Sequence, residues 1–340
     1  MKEGILMADN AELRFGIIGT GWISQKFVRA LRAVDNVSVV AVYSRTLSKG
    51  TSFVKTISEH IIVYTDLDQM LLDKQIDAIY IASPNSAHYT QIISCLTHEK
   101  HVLVEKPAVV TSNQFLKIEK LLQKKPNLYF MEAMKNIFLP SFEQTAALIP
   151  QLGPLDGANL IYLTSDLKKS DLQNLQRLPS VLSRKAARGV LYDLGVYLIS
   201  SALNWFGTPI KVEYYPKLID NPDGADYYGH GTLFYKTFNV DILIGNMTSS
   251  QAPSEIYGSQ GTLVLNHPTH LENITLLKKD NTTTDIKVPA ISNTMMPEIE
   301  HFTKIIFSEN YEEMQRLLIL TKTSTNILQT MRENAGFDFP

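Results

Sequence analysis

Along roughly the first 130 residues, short apolar runs alternate with amphipathic stretches of helical period. Leu13-Arg14-Phe15-Gly16-Ile17-Ile18 is mostly apolar and ends in Gly19-Thr20-Gly21-Trp22-Ile23-Ser24, after which Ile23, Phe27, Ala30, Leu31 and Val34 recur at helical spacing. That order predicts a strand, a tight turn and a helix. A second apolar run, 37–43, follows the turn-forming pair Asp35-Asn36, so the segment predicts one βαβ unit and with it a parallel sheet. The alternation continues through Ile61-Ile62-Val63-Tyr64, a helix opened by Thr65-Asp66-Leu67-Asp68 in a capping-box pattern, and the buried-strand run Ala78-Ile79-Tyr80-Ile81-Ala82. His101-Val102-Leu103-Val104 and Leu128-Tyr129-Phe130-Met131 predict two more strands around an amphipathic stretch at 113–123. Strands separated by helices in this way predict an α/β, doubly wound parallel sheet.

After Pro150 the texture changes. Gly153-Pro154 and Asp156-Gly157 mark turns, and the apolar runs 158–164, 211–215, 231–238, 240–246, 256–265 and 273–277 follow one another with short polar breaks. This predicts a second, α+β domain with a mainly antiparallel sheet and a helix near Gly195 to Phe206. Near the C-terminus, Ile305, Ile306, Leu317, Leu318, Leu320 and Ile327 fall at buried positions of helices. The expected division is 1–132 and 133–340, with the C-terminal helices returning to the first domain.

Composition narrows the function. At 340 residues with 44% hydrophobic and 19% charged, the chain is long enough for two domains and too apolar for disorder. Thirty-two Lys and Arg against 34 Asp and Glu leave a net charge of −2, which offers no general positive field to a nucleic-acid backbone or an anionic membrane. The single cysteine, Cys95, excludes an internal disulfide and a thiolate metal cluster, and its neighbours Ile92, Ile93 and Leu96 predict a buried helical thiol. Residues 1–10 read as a frayed lead-in whose apolar triplet Ile5-Leu6-Met7 is too short for a signal core. No run approaches the roughly 18 apolar residues of a membrane span, so a cytoplasmic protein is expected. The eight histidines are scattered, and His267-Pro268-Thr269-His270 has no evident third ligand, so no metal is expected. Nor is there a G-x-S-x-G nucleophile elbow.

The candidate chemistry lies at strand ends. Gly19 allows a tight turn, Gly21 lets the backbone approach a pyrophosphate, and the helix starting near Trp22 and Ile23 aims free N–H groups at the phosphates. Ser24 stands where a third small residue permits close helix packing. After the second strand, Ser44-Arg45 takes the place of the ribose-binding acid, which favours NADP, with NAD as the alternative. Ser83-Pro84-Asn85 follows the fourth strand, where Pro84 can wall a nicotinamide and Asn85 can hydrogen-bond it. His88 stands nearby, either close to the site or on the helix surface, with no catalytic role. Glu105-Lys106-Pro107 ends the fifth strand on the same edge, the proline keeping Lys106 extended. Further on, Asp193 and Tyr197 share one face of a helix, a geometry suited to a proton-transfer pair.

Together, Gly19-x-Gly21, Ser44-Arg45, Ser83-Pro84-Asn85, Glu105-Lys106-Pro107 and Asp193-x-Gly195-x-Tyr197 resemble the Gfo/Idh/MocA oxidoreductase family. The resemblance runs from Leu13 to Pro340. Tyr197, Met131-Glu132-Ala133-Met134 and the terminal Gly336-Phe337-Asp338-Phe339-Pro340 are most similar to the branch containing dimeric dihydrodiol dehydrogenase and NADP-dependent xylose dehydrogenase. It implies an N-terminal Rossmann domain and a C-terminal domain with an open-faced, mainly antiparallel sheet that mediates homodimers or higher homo-oligomers. It also implies hydride transfer between nicotinamide and a sugar, polyol or trans-diol carbinol carbon, with Lys106 as the site lysine and Tyr197 as the acid/base. Two positions depart from the family pattern. Lys185-Ala186-Ala187-Arg188-Gly189 replaces a glycine run, placing Arg188 where it either selects an acidic or phosphorylated substrate or points to solvent. Lys135-Asn136-Ile137-Phe138 replaces a Trp and a nearby Arg. Two rival functions share the fold: a cofactor-binding sensor without turnover, and a nicotinamide-dependent glycosidase.

Overall fold

The structure, a computed structural model, describes residues 12–57, 60–165, 178–269 and 271–339. The expected lead-in at 1–10, His270 and Pro340 lie outside the described residues. The chain divides into two units, one of Met1–Ala108, Asn113–Ala133 and Asn293–Ile319, the other of Val109–Ser112, Met134–Ser292 and Leu320–Pro340.

In the first unit, strands β1 (Leu13–Ile18), β2 (Val37–Tyr43), β3 (Ile62–Tyr64), β4 (Ala78–Ile81), β5 (His101–Glu105) and β6 (Phe130–Ala133) form one parallel sheet in the order β3-β2-β1-β4-β5-β6. Between them run helices α1 (Trp22–Leu31), α2 (Leu47–Ile57), α3 (Leu67–Leu72), α4 (Asn85–Thr97) and α5 (Ser112–Gln123). The order reverses direction between β1 and β4, the switch point at which open α/β sheets bind ligands. All four residues of β4 are buried, as expected for a strand covered on both faces. Phe27 of α1 stacks on Tyr80 of β4 at 3.6 Å and meets Phe15 of β1 edge-on at 5.8 Å. Each of these rings contributes about 2 kcal/mol through burial. Helix Met296–Phe307 brings Phe302 to within 6.1 Å of Phe15, and Asn293 Nδ2 donates to Lys26 O, so this late segment completes the first unit. The cap of α3 is Asp66, which accepts from Gln69 N–H at 3.2 Å. Cys95 is buried, and burial pushes its thiol well above the ordinary range, leaving it chemically inert.

The second unit holds helix α6 (Pro140–Leu148) and an eight-stranded sheet. Its strands are β7 (Leu155–Leu163), β8 (Lys211–Leu218), β9 (Asp226–Phe234), β10 (Asn239–Gly245), β11 (Ser254–Gly258), β12 (Gly261–Leu265), β13 (Asn273–Lys278) and β14 (Thr283–Lys287), in the order β14-β13-β12-β11-β7-β10-β9-β8. Every pair is antiparallel except β7 with β10, which run parallel because β7 enters the sheet between two later hairpins. The apolar run 256–265 is a hairpin broken at Ser259-Gln260, and the run 231–238 ends at Phe234, where Tyr235 N–H turns back to Phe238 O. A short π-helical segment, Leu191–Gly195, continues into α7 (Val196–Phe206). The helix at Met296–Phe307 is α8, and α9 spans Tyr311–Asn334. Ile305, Leu317, Leu318 and Ile327 are buried; Ile306 and Leu320, expected to be so, are half-exposed because they lie at the margin of their helices' apolar faces.

Candidate active site

Register brings the first set of predicted residues to one edge. Ile18 lies opposite both Tyr43 and Ile81, and Ile81 opposite Val104, so β2, β1, β4 and β5 end together. Gly19 has φ +109°, and a Cβ there would stand 2.6 Å from the Ala82 carbonyl oxygen; no other residue fits between the two strand ends. Gly21 differs, because its φ is −81° and an added Cβ would meet no atom within 4 Å. The fold does not require that glycine, whereas a ligand drawn up to the backbone does. Gly21 caps α1 without a side-chain acceptor, and Gln25 N–H is the first to bond back, to Gly21 O at 3.3 Å. The amides of Trp22, Ile23 and Ser24 therefore form the open, positive end of α1. Trp22 is 73% exposed beside it, and Ser24 is buried where close packing needs a small side chain. These features fit the pyrophosphate of a nicotinamide dinucleotide.

Ser44 is buried, its N–H tied to Tyr64 O at 3.0 Å, while Arg45 is exposed. The start of α2 extends this corner into a groove lined by Thr20, Gly21, Gln25, Ser48, Lys49 and Ser52, among others. Its lining contains no carboxylate and one ammonium, a composition that suits a ribose phosphate. Lys49 was not singled out from the sequence; the available signal was a second cation four residues after Arg45.

On the other side of the switch point, Pro84 is exposed at the start of α4 and Asn85 is buried. Ser83 Oγ donates to Gln91 Oε1 at 2.6 Å. Tyr80 Oη donates to Glu105 Oε1 at 2.5 Å, and Ala108 N–H to Glu132 Oε1 at 2.8 Å, so the segment carrying the half-buried Lys106 is fastened at both ends. His88 is not on the helix surface. It is fully buried, with Nδ1 2.9 Å from Pro107 O and Nε2 2.9 Å from Ser83 O.

The second unit supplies Asp193 and Tyr197. Gly189, at φ +136°, has its Cα against the Asp226 carboxylate, so a Cβ would overlap Asp226 Oδ1. Asp226 in turn accepts from Leu191 N–H at 2.9 Å and from Tyr214 Oη at 2.6 Å, anchoring the first turn of the helix that carries Asp193. Arg332, buried in α9, contacts Tyr192 Oη and Phe337 O, and Phe339 lies edge-on to Tyr192 at 4.9 Å. Burial pushes the Tyr192 hydroxyl up to about 12, away from the range in which a phenol gives up its proton near neutrality. Tyr197 is buried and is the second residue of α7. Lys135 Nζ stands 5.7 Å from its ring centre, and the Tyr162 ring lies 6.1 Å away, itself edge-on to His267. Asn136 Nδ2 donates to Ser201 Oγ at 3.0 Å, binding the Lys135–Phe138 turn to α7. Of the nearby cations, Arg184 Nε donates to Gly224 O and Lys185 pairs with Asp223, while the buried Nε of Arg188 has no acceptor among the described residues. Among those residues no group of three His, Cys, Asp or Glu side chains could hold a metal ion, and no helix is long and apolar enough to cross a membrane.

Comparison with known proteins decides the family. The model of the oxidoreductase family with an NAD-binding Rossmann fold matches residues 13–133, and that of the same family's C-terminal alpha/beta domain matches 181–328. The chain belongs to the Gfo/Idh/MocA oxidoreductase family. Within that family it is 30% identical over 333 residues to scyllo-inositol 2-dehydrogenase (NADP(+)) IolU of Bacillus subtilis (strain 168), covering 96% of this chain and 98% of that one. It is 28% identical over 201 residues to trans-1,2-dihydrobenzene-1,2-diol dehydrogenase of Homo sapiens, covering 57% and 56%. The structure of KijD10, a 3-ketoreductase from Actinomadura kijaniata in complex with NADP and TDP-benzene, superposes with a TM-score of 0.83 at 19% identity, covering 95% of this chain and 98% of that one. That likeness concerns the Gfo/Idh/MocA fold alone.

Proposed function

We propose that this Gfo/Idh/MocA oxidoreductase transfers a hydride between NADP and the carbinol carbon of a sugar, polyol or trans-diol. The observation that carries the reading is the Gly21 turn, where an uncapped helix end faces open space in a chain of a nicotinamide-dependent family. The NADP choice is supported by Ser44 and Arg45 at the end of β2 and by Lys49 in the groove beyond them. Gly19, Trp22, Ile23, Ser83, Pro84, Asn85 and Glu105 complete the proposed cofactor site. Cofactor binding is assigned to 1–132, and substrate binding and assembly to 133–340.

Bound there, the nicotinamide supplies the hydride acceptor. Tyr197 Oη takes the substrate hydroxyl proton, Lys106 Nζ donates to the developing alkoxide, and Asp193 orients a substrate hydroxyl. Arg188 offers its buried Nε to an acidic or phosphorylated substituent. The chain acts as a homodimer or higher homo-oligomer through the side of the second sheet that exposes Tyr215, His230 and Lys211.

The test is initial rates of nicotinamide reduction with NADP and NAD over aldoses, polyols, sugar acids, sugar phosphates and trans-diols, repeated with Tyr197→Phe. Turnover with NADP that falls by about two to four orders of magnitude in the variant, at unchanged cofactor affinity, supports the reading. An unaffected variant overturns the role of Tyr197. Tight NADPH binding without turnover points to a sensor, and glycoside cleavage without net reduction to a glycosidase.

A further inference from the structure

Lys106 sits in a segment whose two flanks are held by different devices. On the strand side, Tyr80 Oη fixes the Glu105 carboxylate at 2.5 Å. On the far side, the Pro107 carbonyl lies 2.9 Å from His88 Nδ1, and the other nitrogen of that ring lies 2.9 Å from the Ser83 carbonyl. Pro107 closes the tripeptide around Lys106, and Ser83 opens the loop assigned to the nicotinamide. One buried ring therefore spans the carboxyl ends of β4 and β5, and sets the spacing of the two loops between which the chemistry is proposed to occur.

Both carbonyls can only accept, so the ring is the donor wherever a hydrogen bond forms, and the tautomer decides which carbonyl receives the N–H. The contact with Pro107 O is buried, so water does not replace the ring there when a shorter side chain takes its place; the contact with Ser83 O is part-buried.

We propose that His88 is a positioning residue for Lys106, a bridge between two backbone carbonyls that holds the lysine at the distance from the nicotinamide loop which turnover requires. The proposal rests on the role given to Lys106 above. A displacement of about 1 Å at a reacting group costs on the order of a hundredfold in rate, so a lost bridge is felt in kcat before it is felt in binding.

The experiment is a double-mutant cycle of His88→Asn with Lys106→Met, reading kcat, KM and NADPH affinity, with His88→Gln as a second variant should the shorter amide fail to fold. Expected are a loss in kcat of about 10- to 100-fold for the His88 variant, an NADPH affinity within about threefold of the parent, and less than about a twofold further loss in the Lys106→Met background. Equal losses in both backgrounds, or an unchanged kcat, overturn the proposal and leave the role of Lys106 standing. Full activity of Lys106→Met overturns that role and the proposal with it.

Discussion

Lys135 Nζ stands 5.7 Å from the centre of the Tyr197 ring, and the neighbouring Asn136 locks this relation by its bonds to Ser201 and towards the Tyr197 carbonyl. A cation over an aromatic face is attracted by the ring quadrupole, and its charge favours loss of the phenolic proton. In the first unit Lys106 is the lysine assigned to the reaction; Lys135 is a second cation, in the same unit as the tyrosine.

If Tyr197 is the base in the oxidative direction, kcat rises with pH as the phenol gives up its proton. Lys135→Met should move that rise to higher pH by about one unit, since one positive charge at this distance in a partly screened site acts with roughly that strength. Lys135→Arg should leave it nearly in place. A rise that stays put in Lys135→Met assigns the lysine to packing alone. Among the described residues, Tyr162 lies against Tyr197, His267 lies against Tyr162 and Asp193 stands four residues before Tyr197, so the profile should be compared in all variants at constant ionic strength.

The two glycines of the turn should separate fold from function. Gly19→Ala forces a Cβ into left-handed backbone beside the Ala82 carbonyl and should lower Tm by several degrees. Gly21→Val places its side chain in open space, so it should leave Tm within about a degree while weakening NADPH binding by at least about tenfold. Binding can be followed by quenching of the exposed Trp22, a signal that Trp22→Phe should abolish. Retained affinity in Gly21→Val would place the pyrophosphate elsewhere.

Arg45→Ala and Lys49→Ala should each raise the KM for NADP by about tenfold and leave that for NAD within twofold, because the charge they carry meets only the extra phosphate. Equal effects on both cofactors would remove the two residues from phosphate recognition.

Asp226 links pH to the stability of the second unit. Burial pushes its carboxyl up to about 6 from an ordinary 3.8, in spite of hydrogen bonds from Tyr214 and Leu191 N–H. Since the folded-state value lies above the unfolded one, this group stabilises the fold below about pH 4, and that contribution is lost as pH rises through about 6. The full swing is about 3 kcal/mol. Asp226→Asn keeps an acceptor and does not titrate. The stability of the parent relative to this variant in urea unfolding should therefore fall by up to that amount between pH 4 and pH 7.5; a difference that is the same at both pH values would show that the carboxylate is not desolvated.

The alternating sheet and the glycine turn were legible in the sequence because they are local: period-two and period-3.6 patterns declare which face of an element is buried, and Gly19 declares a backbone that other residues avoid. For the same reason the placement of Ser44-Arg45 and Glu105-Lys106 on one edge was legible, since in a parallel sheet the end of a strand fixes the edge on which its loop emerges. The split of 256–265 is written in Gly258-Ser259-Gln260-Gly261, a turn between two apolar stretches that reading them as one run passes over, whereas β14, with Ile286 as its one apolar side chain, carries too little pattern to be seen.

The sequence by itself determined the family and the two kinds of sheet, and it put the residues proposed for the site at the ends of strands and on one helix. Tertiary structure alone decided that β7 pairs in parallel with β10, that His88 is buried between two carbonyls, that Asp226 anchors a turn 35 residues before it, and that Lys135 lies over Tyr197. The physical reason is that a hydrophobic pattern states how much surface each element must bury, and is indifferent to which element covers it. Which polar group meets which is settled by the packing of segments far apart in the chain, where a single buried donor without an acceptor costs as much as a whole local preference.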